Sequence, residues 1–162
     1  DALPGGHFTL NKQDGTVFDS KISNKIMLIY FGFTYCPDVC PTTLIKMADV
    51  IDRLGKDSDN INSIFISIDP ERDNEEVIKQ YVSAFHEKII GLTGDVEQIA
   101  SVAEDWGVYY QKEDLEGSDD YTVNHLDIIF LANANGEYVD FFPPKIKSAL
   151  IVEKVRNILN NN

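Results

Sequence analysis

The sequence predicts an α/β fold in which helices flank a central mixed sheet and a β-hairpin precedes that sheet. Short apolar runs alternate along the chain with stretches of about 12 residues at helical spacing, which is typical of strands joined by helical crossovers. The dipeptides Asp14-Gly15 and Asn135-Gly136 lie between runs with strand character and predict hairpin turns near both ends of the chain. Because crossovers join parallel strands and hairpins join antiparallel ones, the predicted sheet is mixed.

The predicted elements follow one another with turn residues between them. Residues 26–31 are apolar throughout, as expected of a strand that is covered on both faces. Asp95 is a predicted N-cap of the helix that follows it. We predict strands at residues 7–10, 16–19, 26–31, 61–68, 89–92, 108–111, 121–123, 126–131 and 137–142. We predict helices at residues 42–54, 77–85, 96–106 and 146–159.

The composition is ordinary for a soluble globular protein, with 43% hydrophobic and 25% charged residues among 162. This length accommodates one domain, and we expect residues 1–162 to form it. With 14 basic and 27 acidic side chains, the formal net charge is -13. A nucleic-acid partner is disfavoured, because a phosphate backbone requires a basic surface.

The sequence contains no recognisable membrane or export segment. No apolar run approaches the length of a membrane-spanning helix, and no signal peptide is visible. The chain begins with Asp1 rather than Met, so we expect that an N-terminal anchor or targeting segment is absent from it.

Both cysteines of the chain, Cys36 and Cys40, lie between the strand 26–31 and the helix 42–54. A helix N-terminus stabilises a thiolate through its free backbone N–H groups and its dipole. Because Cys40 precedes Pro41 at the expected N-cap, we predict that the pKa of Cys40 is depressed. The spacing of the two thiols is compatible with a redox pair, part of a metal site or a small structural disulfide, and does not choose between them.

A metal bound by two thiolates needs further ligands, and the chain has three histidines. His86 follows a predicted helix and His7 opens the N-terminal hairpin, so both are expected to be solvated. His125 opens the apolar strand 126–131. If that strand neighbours strand 26–31 and runs antiparallel to it, His125 lies beside the cysteines. From its position alone, His125 is equally compatible with a ligand and with a structural histidine.

Four separated motifs resemble those of the SCO/SenC family of copper-binding proteins that take part in cytochrome oxidase assembly. Residues 31–41 read FGFTYCPDVCP, residues 67–73 read SIDPERD, residues 90–94 read IGLTG and residues 120–125 read DYTVNH. The resemblance runs in order from His7 to Phe142, which is nearly the whole chain.

This resemblance implies a thioredoxin-like fold that carries a copper site made of Cys36, Cys40 and His125. It implies a metallochaperone, rather than an enzyme, that delivers Cu(I) or Cu(II) to the binuclear copper centre of cytochrome c oxidase and could also act in thiol–disulfide control. The implied partners are the copper-bearing subunit of that oxidase, a thiol reductase and an upstream copper donor. Family members are usually anchored by one N-terminal helix, and their soluble domain faces the bacterial periplasm or the mitochondrial intermembrane space.

The sequence departs from the family pattern next to the histidine, where Asn124 replaces the common Asp. Asp127 shares the predicted strand face of His125 and is expected to be a carboxylate at the rim of the site or a group that supports a ligand. Zinc suits the same three donors, so the assignment of copper rests on the resemblance.

Two enzyme classes that use cysteines in a similar setting remain alternatives. Residues 39–42 resemble the peroxidatic motif of thiol peroxidases, although Pro37 and Thr43 stand where that family has Thr and usually Glu. A thioredoxin-like disulfide reductase would use Cys36 and Cys40, but it prefers two intervening residues and has no use for His125. A structural disulfide without chemistry is the third alternative.

Two acidic segments lie outside the cysteine motif. Residues 69–73 follow strand 61–68 and are expected to cap the next helix or to contact a partner. Residues 113–120 are expected to form a solvated hairpin tip whose charge could steer a basic partner.

Overall fold

The computed structural model describes residues 3–36, 39–118 and 120–161, and its architecture confirms the predicted α/β class. The strands are β1 (Thr9–Lys12), β2 (Val17–Asp19), β3 (Ile26–Gly32), β4 (Ile61–Ser67), β5 (Ile89–Thr93), β6 (Tyr110–Asp114), β7 (Tyr121–His125), β8 (Ile129–Ala132) and β9 (Tyr138–Phe142). The α-helices are α1 (Ser20–Ser23), α2 (Val39–Leu54), α3 (Glu75–Ser83), α4 (Val96–Asp105) and α5 (Ser148–Asn160), and residues Gly55–Asn60 form a 3₁₀-helix.

Seven strands form one sheet in the order β2-β1-β5-β4-β3-β8-β9. The sheet is mixed, as predicted. The three central strands β3, β4 and β5 are parallel, because α2 and α3 provide the crossovers between them. Strand β8 runs antiparallel to β3, with Ile129 opposite Tyr30. The start of β8 therefore lies at the same edge of the sheet as the end of β3, which is the edge that carries the cysteine motif.

The core lies on both faces of the two middle strands. Every residue of β3 and β4 is buried. Helices α2 and α5 pack against each other, and α3 packs against β5. At that second contact β5 has Gly91, where a Cβ atom would overlap the side chain of Ile78. The absence of a side chain at this position allows α3 to lie directly on the sheet.

Strands β6 and β7 form a second sheet that shares no hydrogen-bonded ladder with the first. Their pairing confirms the predicted contact between residues 108–111 and 121–123, and it extends to the register Tyr110 opposite His125. The predicted strand 126–131 is partly wrong: β8 begins only at Ile129. Because β7 continues its ladder with β6 through His125, that residue ends one strand rather than opening the next.

Three other predictions concern helix starts. Helix α2 begins at Val39, three residues earlier than its apolar spacing predicts. Asp95 caps α4 as predicted, with its side chain accepting a hydrogen bond from the Gln98 N–H. The expected cap of α3 by residues 69–73 is wrong, because Asn74 accepts the hydrogen bond from the Val77 N–H instead.

Within the described ranges, no helix combines the length and the apolar character that crossing a membrane requires.

Candidate metal centre

The cysteine motif begins where β3 leaves the sheet. The chain turns after Gly32, with the Cys36 N–H donating to the Phe33 carbonyl oxygen at 3.3 Å, and α2 begins at Val39. Both cysteines are free thiols in this structure. The Cys40 side chain is fully buried, whereas Cys36 is 9% exposed. Pro37 and Asp38, which separate the two cysteines in sequence together with Val39, lie outside the described residues.

Gly32 provides the space that the Cys40 sulfur occupies. A Cβ atom at this position would lie 2.9 Å from Cys40 Sγ, 3.0 Å from a ring carbon of Phe65 and 3.1 Å from a ring carbon of Tyr30. The distance to the sulfur is shorter than Cβ atoms show in proteins, and the two distances to ring carbons are tighter than most Cβ contacts. A residue without a side chain is therefore required for the first turn of α2 to pack against the end of β3.

A buried carboxylate from the loop after β4 holds the start of the cysteine motif. Asp73 is fully buried and accepts hydrogen bonds from the Thr34 N–H at 2.9 Å, the Thr34 hydroxyl at 2.6 Å and the Ser67 hydroxyl at 2.7 Å. Burial raises the pKa of Asp73 above its usual range. These bonds tie Thr34, two residues before Cys36, to the end of the neighbouring strand.

His125 approaches the cysteines from the end of β7. Its Nδ1–H donates to the Leu126 carbonyl oxygen at 2.9 Å, and its Nε2 lies 3.6 Å from the Cys40 sulfur. Because a carbonyl oxygen can only accept, the proton of the neutral ring lies on Nδ1 and the lone pair on Nε2 is free to bind a metal. The edge of the ring also packs against Phe33, with centroids 5.5 Å apart.

The three side chains thus come together as a donor cluster. Cys36 Sγ, Cys40 Sγ and a ring nitrogen of His125 all lie within 4.8 Å of one another, close enough to bind one metal ion. The other two histidines are elsewhere: His7 Nδ1 bonds the Ser20 hydroxyl, and His86 Nε2 bonds Asp52 at 2.8 Å. His86 is more enclosed than predicted, with 15% of its side chain exposed.

The two thiols differ in protonation, and the prediction of a depressed pKa at Cys40 is wrong. The Cys40 S–H beside Cys36 lowers the pKa of Cys36 to about 4, against the effect of burial, and the N–H groups of Cys40 and Val39 act in the same direction. The Cys36 sulfur and burial raise the pKa of Cys40. The Cys40 N–H donates to Cys36 Sγ at 3.4 Å. Because α2 begins at Val39, its free N–H groups stabilise a thiolate at Cys36 rather than at Cys40.

Two polar residues near His125 differ in what they contact. Asp127 accepts a hydrogen bond from the Thr43 hydroxyl at 2.8 Å, which links the connection after β7 to the helix that carries Cys40. Thr43 is buried. Asn124 is exposed, and its amide donates to Glu113 at 3.2 Å on the opposite strand. Of the two, Asp127 is the residue that supports the geometry of the cluster.

Comparisons with known proteins match nearly the whole chain to the same family. The SCO1/SenC family model matches residues 1–160. An SCO2-like protein of Rickettsia conorii is 41% identical over 157 residues, which are 94% of this chain and 76% of that relative. The mitochondrial protein SCO1 homolog of Homo sapiens is 42% identical over 143 residues, which are 86% of this chain and 48% of that relative. The structure of Bradyrhizobium japonicum ScoI with copper bound is similar with a TM-score of 0.89 and 38% identity, over 96% of this chain and 99% of that chain. This likeness confirms the predicted thioredoxin-like fold.

The protonation of the thiols can be tested with two substitutions at Cys40. Cys40→Ala removes the S–H donor that contributes most to the low pKa of Cys36, so that pKa should rise towards the ordinary thiol range. Cys40→Ser retains a hydroxyl donor and should leave the Cys36 pKa depressed. The measurement is thiolate ultraviolet absorption during a pH titration of the reduced, metal-free protein.

In the parent protein the Cys36 thiolate should persist as the pH falls and should be protonated only near its pKa of about 4. A parent titration near the unperturbed thiol pKa of about 8.5, or a Cys40→Ala protein that titrates like the parent, contradicts this assignment.

Proposed function

The chain belongs to the SCO1/SenC family, as its motifs predicted, and we propose that it binds one copper ion through Cys36, Cys40 and His125 and delivers that ion during assembly of the binuclear copper centre of cytochrome c oxidase. The observation that carries this proposal is the convergence of two sulfurs and one imidazole nitrogen within 4.8 Å. The copper bound in the similar ScoI structure supports the choice of metal.

The donor set suits copper as a cargo. Thiolates are soft ligands that favour Cu(I), and a mixture of thiolate and imidazole also accommodates Cu(II). Zinc binds the same donors, so the preference for copper draws on the relatives as well as on the ligands. Three protein donors leave a bound ion open to a ligand from a partner. An ion that is to be passed on requires such access.

Loading requires both sulfurs as thiolates. Cys36 is already deprotonated at neutral pH, whereas Cys40 must lose its proton when the metal binds. Metal binding should therefore release about one proton per ion at neutral pH. A disulfide between the two cysteines would remove both sulfur ligands, so the proposal includes a thiol reductase and an upstream copper donor as partners.

We further propose that residues 1–162 form one domain that is tethered to a membrane and faces the bacterial periplasm or the mitochondrial intermembrane space. The family resemblance supports this location. The human relative, of which the matched segment covers 48%, is named as a mitochondrial protein, which supports it as well. The copper-bearing subunit of cytochrome c oxidase is the proposed recipient of the ion.

A second activity, thiol–disulfide exchange with a partner protein, is favoured by the unequal thiols. The Cys36 thiolate would attack one sulfur of a partner disulfide and displace the other sulfur as a thiolate, which forms a mixed disulfide. Cys40, after losing its proton, would then attack Cys36, close the Cys36–Cys40 disulfide and release the partner as a dithiol. Two electrons pass from this chain to the partner, and a reductase must restore them.

Peroxide reduction is a weaker candidate. The peroxidatic motif would make Cys40 the nucleophile, but its sulfur is fully buried and its pKa is raised. A peroxidatic cysteine needs an accessible thiolate. The buried, protonated Cys40 does not meet that requirement.

A Cu(I) titration of the reduced protein tests the proposed ligands. We expect one ion per monomer, no tight binding after Cys36→Ser, and an affinity that is lower by at least about tenfold after His125→Ala, because an outer-shell change alone costs that much at metal sites. His86→Ala is the matched control, since His86 bonds Asp52 away from the cluster. The three-ligand proposal is wrong if the His125→Ala protein binds copper as tightly as the parent.

Trapping of a mixed disulfide tests the second activity separately. Cys40→Ser removes the thiol that would resolve the mixed disulfide, so a covalent complex with a disulfide-containing substrate protein should accumulate. Cys36→Ser should form no such complex. His125→Ala should still reduce the substrate, because exchange requires only the two sulfurs. Equal trapping by both single cysteine variants would contradict the assigned order of attack.

A further inference from the structure

The element that carries His125 is weakly connected to the core. Strands β6 and β7 share no backbone ladder with the seven-stranded sheet, and four of the five residues of β6 are exposed. Within β7, Val123 is the buried residue, at 5% exposure. A two-stranded hairpin is marginally stable without packing against other elements. The position of His125 therefore depends on side-chain contacts between this hairpin and the rest of the protein.

Arg72, in the loop after β4, makes several of these contacts. Its Nη1 donates to the Tyr121 carbonyl oxygen at 2.8 Å and to the Asp120 carboxylate at 3.3 Å. Its guanidinium carbon lies 3.7 Å from the centroid of the Tyr121 ring. One side chain thus binds the backbone, a carboxylate and an aromatic face at the start of β7.

Arg72 is itself held in place by a buried partner. Its Nε donates to Asp69 Oδ2 at 2.6 Å, and the Asp69 side chain is 1% exposed. The other carboxylate oxygen of Asp69 accepts from the Tyr121 hydroxyl at 2.8 Å. Burial and this bond raise the pKa of Tyr121 to about 12, so its hydroxyl remains a donor. Arg72, Asp69 and Tyr121 therefore form a closed set of contacts between the loop and the hairpin.

The same loop also contacts the cysteine motif. The Arg72 guanidinium carbon lies 4.2 Å from the centroid of the Tyr35 ring, on the residue that precedes Cys36. The next residue, Asp73, accepts the two hydrogen bonds from Thr34. The loop after β4 therefore touches both segments that bring ligands to the cluster.

We propose that Arg72 is a positioning residue that holds the β6–β7 hairpin, and with it His125, within metal-binding distance of Cys36 and Cys40. The part of this inference that concerns copper rests on the proposed function. The contacts of Arg72 described above are with Asp69, Asp120, Tyr121 and Tyr35, none of which is a proposed ligand, so it acts through the hairpin. Lysine cannot replace it fully, because a single ammonium does not present a planar fork to a carboxylate and a carbonyl while stacking on a ring.

The chain offers a matched control on the same hairpin. Lys112 of β6 bonds Glu71 at 2.7 Å, and its Nζ lies 4.8 Å from the centroid of the Tyr121 ring, farther than the Arg72 guanidinium carbon. Both side chains of the ion pair are about half exposed, at 51% and 54%. Exposed ion pairs contribute little because water screens them and both side chains lose freedom. Lys112→Ala therefore removes a charge and an ion pair between the hairpin and the loop after β4. We expect little effect on hydrogen exchange or copper affinity.

The experiment compares Arg72→Ala, Arg72→Lys and Lys112→Ala, each alone and combined with His125→Ala. The first readout is amide hydrogen exchange of the metal-free protein, in which Arg72→Ala should accelerate exchange at residues 110–125 and leave β3 and β4 at the parental rate. The second is Cu(I) affinity, which Arg72→Ala should lower by roughly tenfold. In the His125→Ala background Arg72→Ala should add less than about a twofold loss. Lys112→Ala should resemble the parent in both readouts.

Unchanged exchange in the hairpin of the Arg72→Ala protein would overturn the proposal, and so would an equal loss of affinity with and without His125. If Arg72→Ala does not fold, the same two readouts are measured on Arg72→Lys and Tyr121→Phe. Tyr121→Phe is a milder change, because it removes only the hydroxyl that donates to Asp69. If the parent binds no copper, the proposed function is wrong, and hydrogen exchange alone then decides whether Arg72 holds the hairpin.

Discussion

The close packing of the first turn of α2 on the end of β3 is the contact on which the site depends. The Cys40 sulfur occupies the space beside Gly32, where any Cβ atom would be 2.9 Å away. This packing buries Cys40 completely and places it beside Cys36, and the hydrogen bond to Cys36 together with burial raises the pKa of Cys40. It also places the Cys40 S–H, and with it the first N–H groups of α2, beside Cys36, which becomes the thiolate. One steric constraint thus determines the different chemistry of two neighbouring thiols.

The three donors of the cluster come from parts of the protein that differ in how they join the main sheet. Cys36 and Cys40 lie at the end of a fully buried strand, with Asp73 anchoring the turn that contains Thr34. His125 lies on a two-stranded sheet outside the main one. If the proposed copper delivery is correct, two thiols held at the main sheet and a third donor on a separate hairpin would suit both the binding and the release of an ion. In such a protein, contacts such as those of Arg72 with Tyr121 would influence affinity without touching the metal.

Local patterns predicted most of the fold, and they failed where distant residues decide the outcome. The apolar run 26–31 and the Asp95 cap were predicted correctly because each depends on its own segment. The start of β8 was misplaced because the pairing of His125 with Tyr110 extends β7 beyond its apolar residues. The low thiol pKa was predicted for Cys40 rather than for Cys36, because it depends on the Cys40 S–H and on a helix that begins before Pro41, and spacing shows neither. Arg72 was missed because Tyr35 and Tyr121, which enclose it, are far apart in sequence.

The central claim is that Cys36, Cys40 and His125 act together as one copper site. Extended X-ray absorption fine structure at the copper edge of the reduced, Cu(I)-loaded protein tests this claim most directly. It identifies the ligand atoms, because sulfur and nitrogen scatter differently and lie at different distances from copper. The account predicts two sulfur ligands and one imidazole nitrogen, with the imidazole signal lost in the His125→Ala protein. A parent spectrum with sulfur ligands alone, or an imidazole signal that survives His125→Ala, would contradict it.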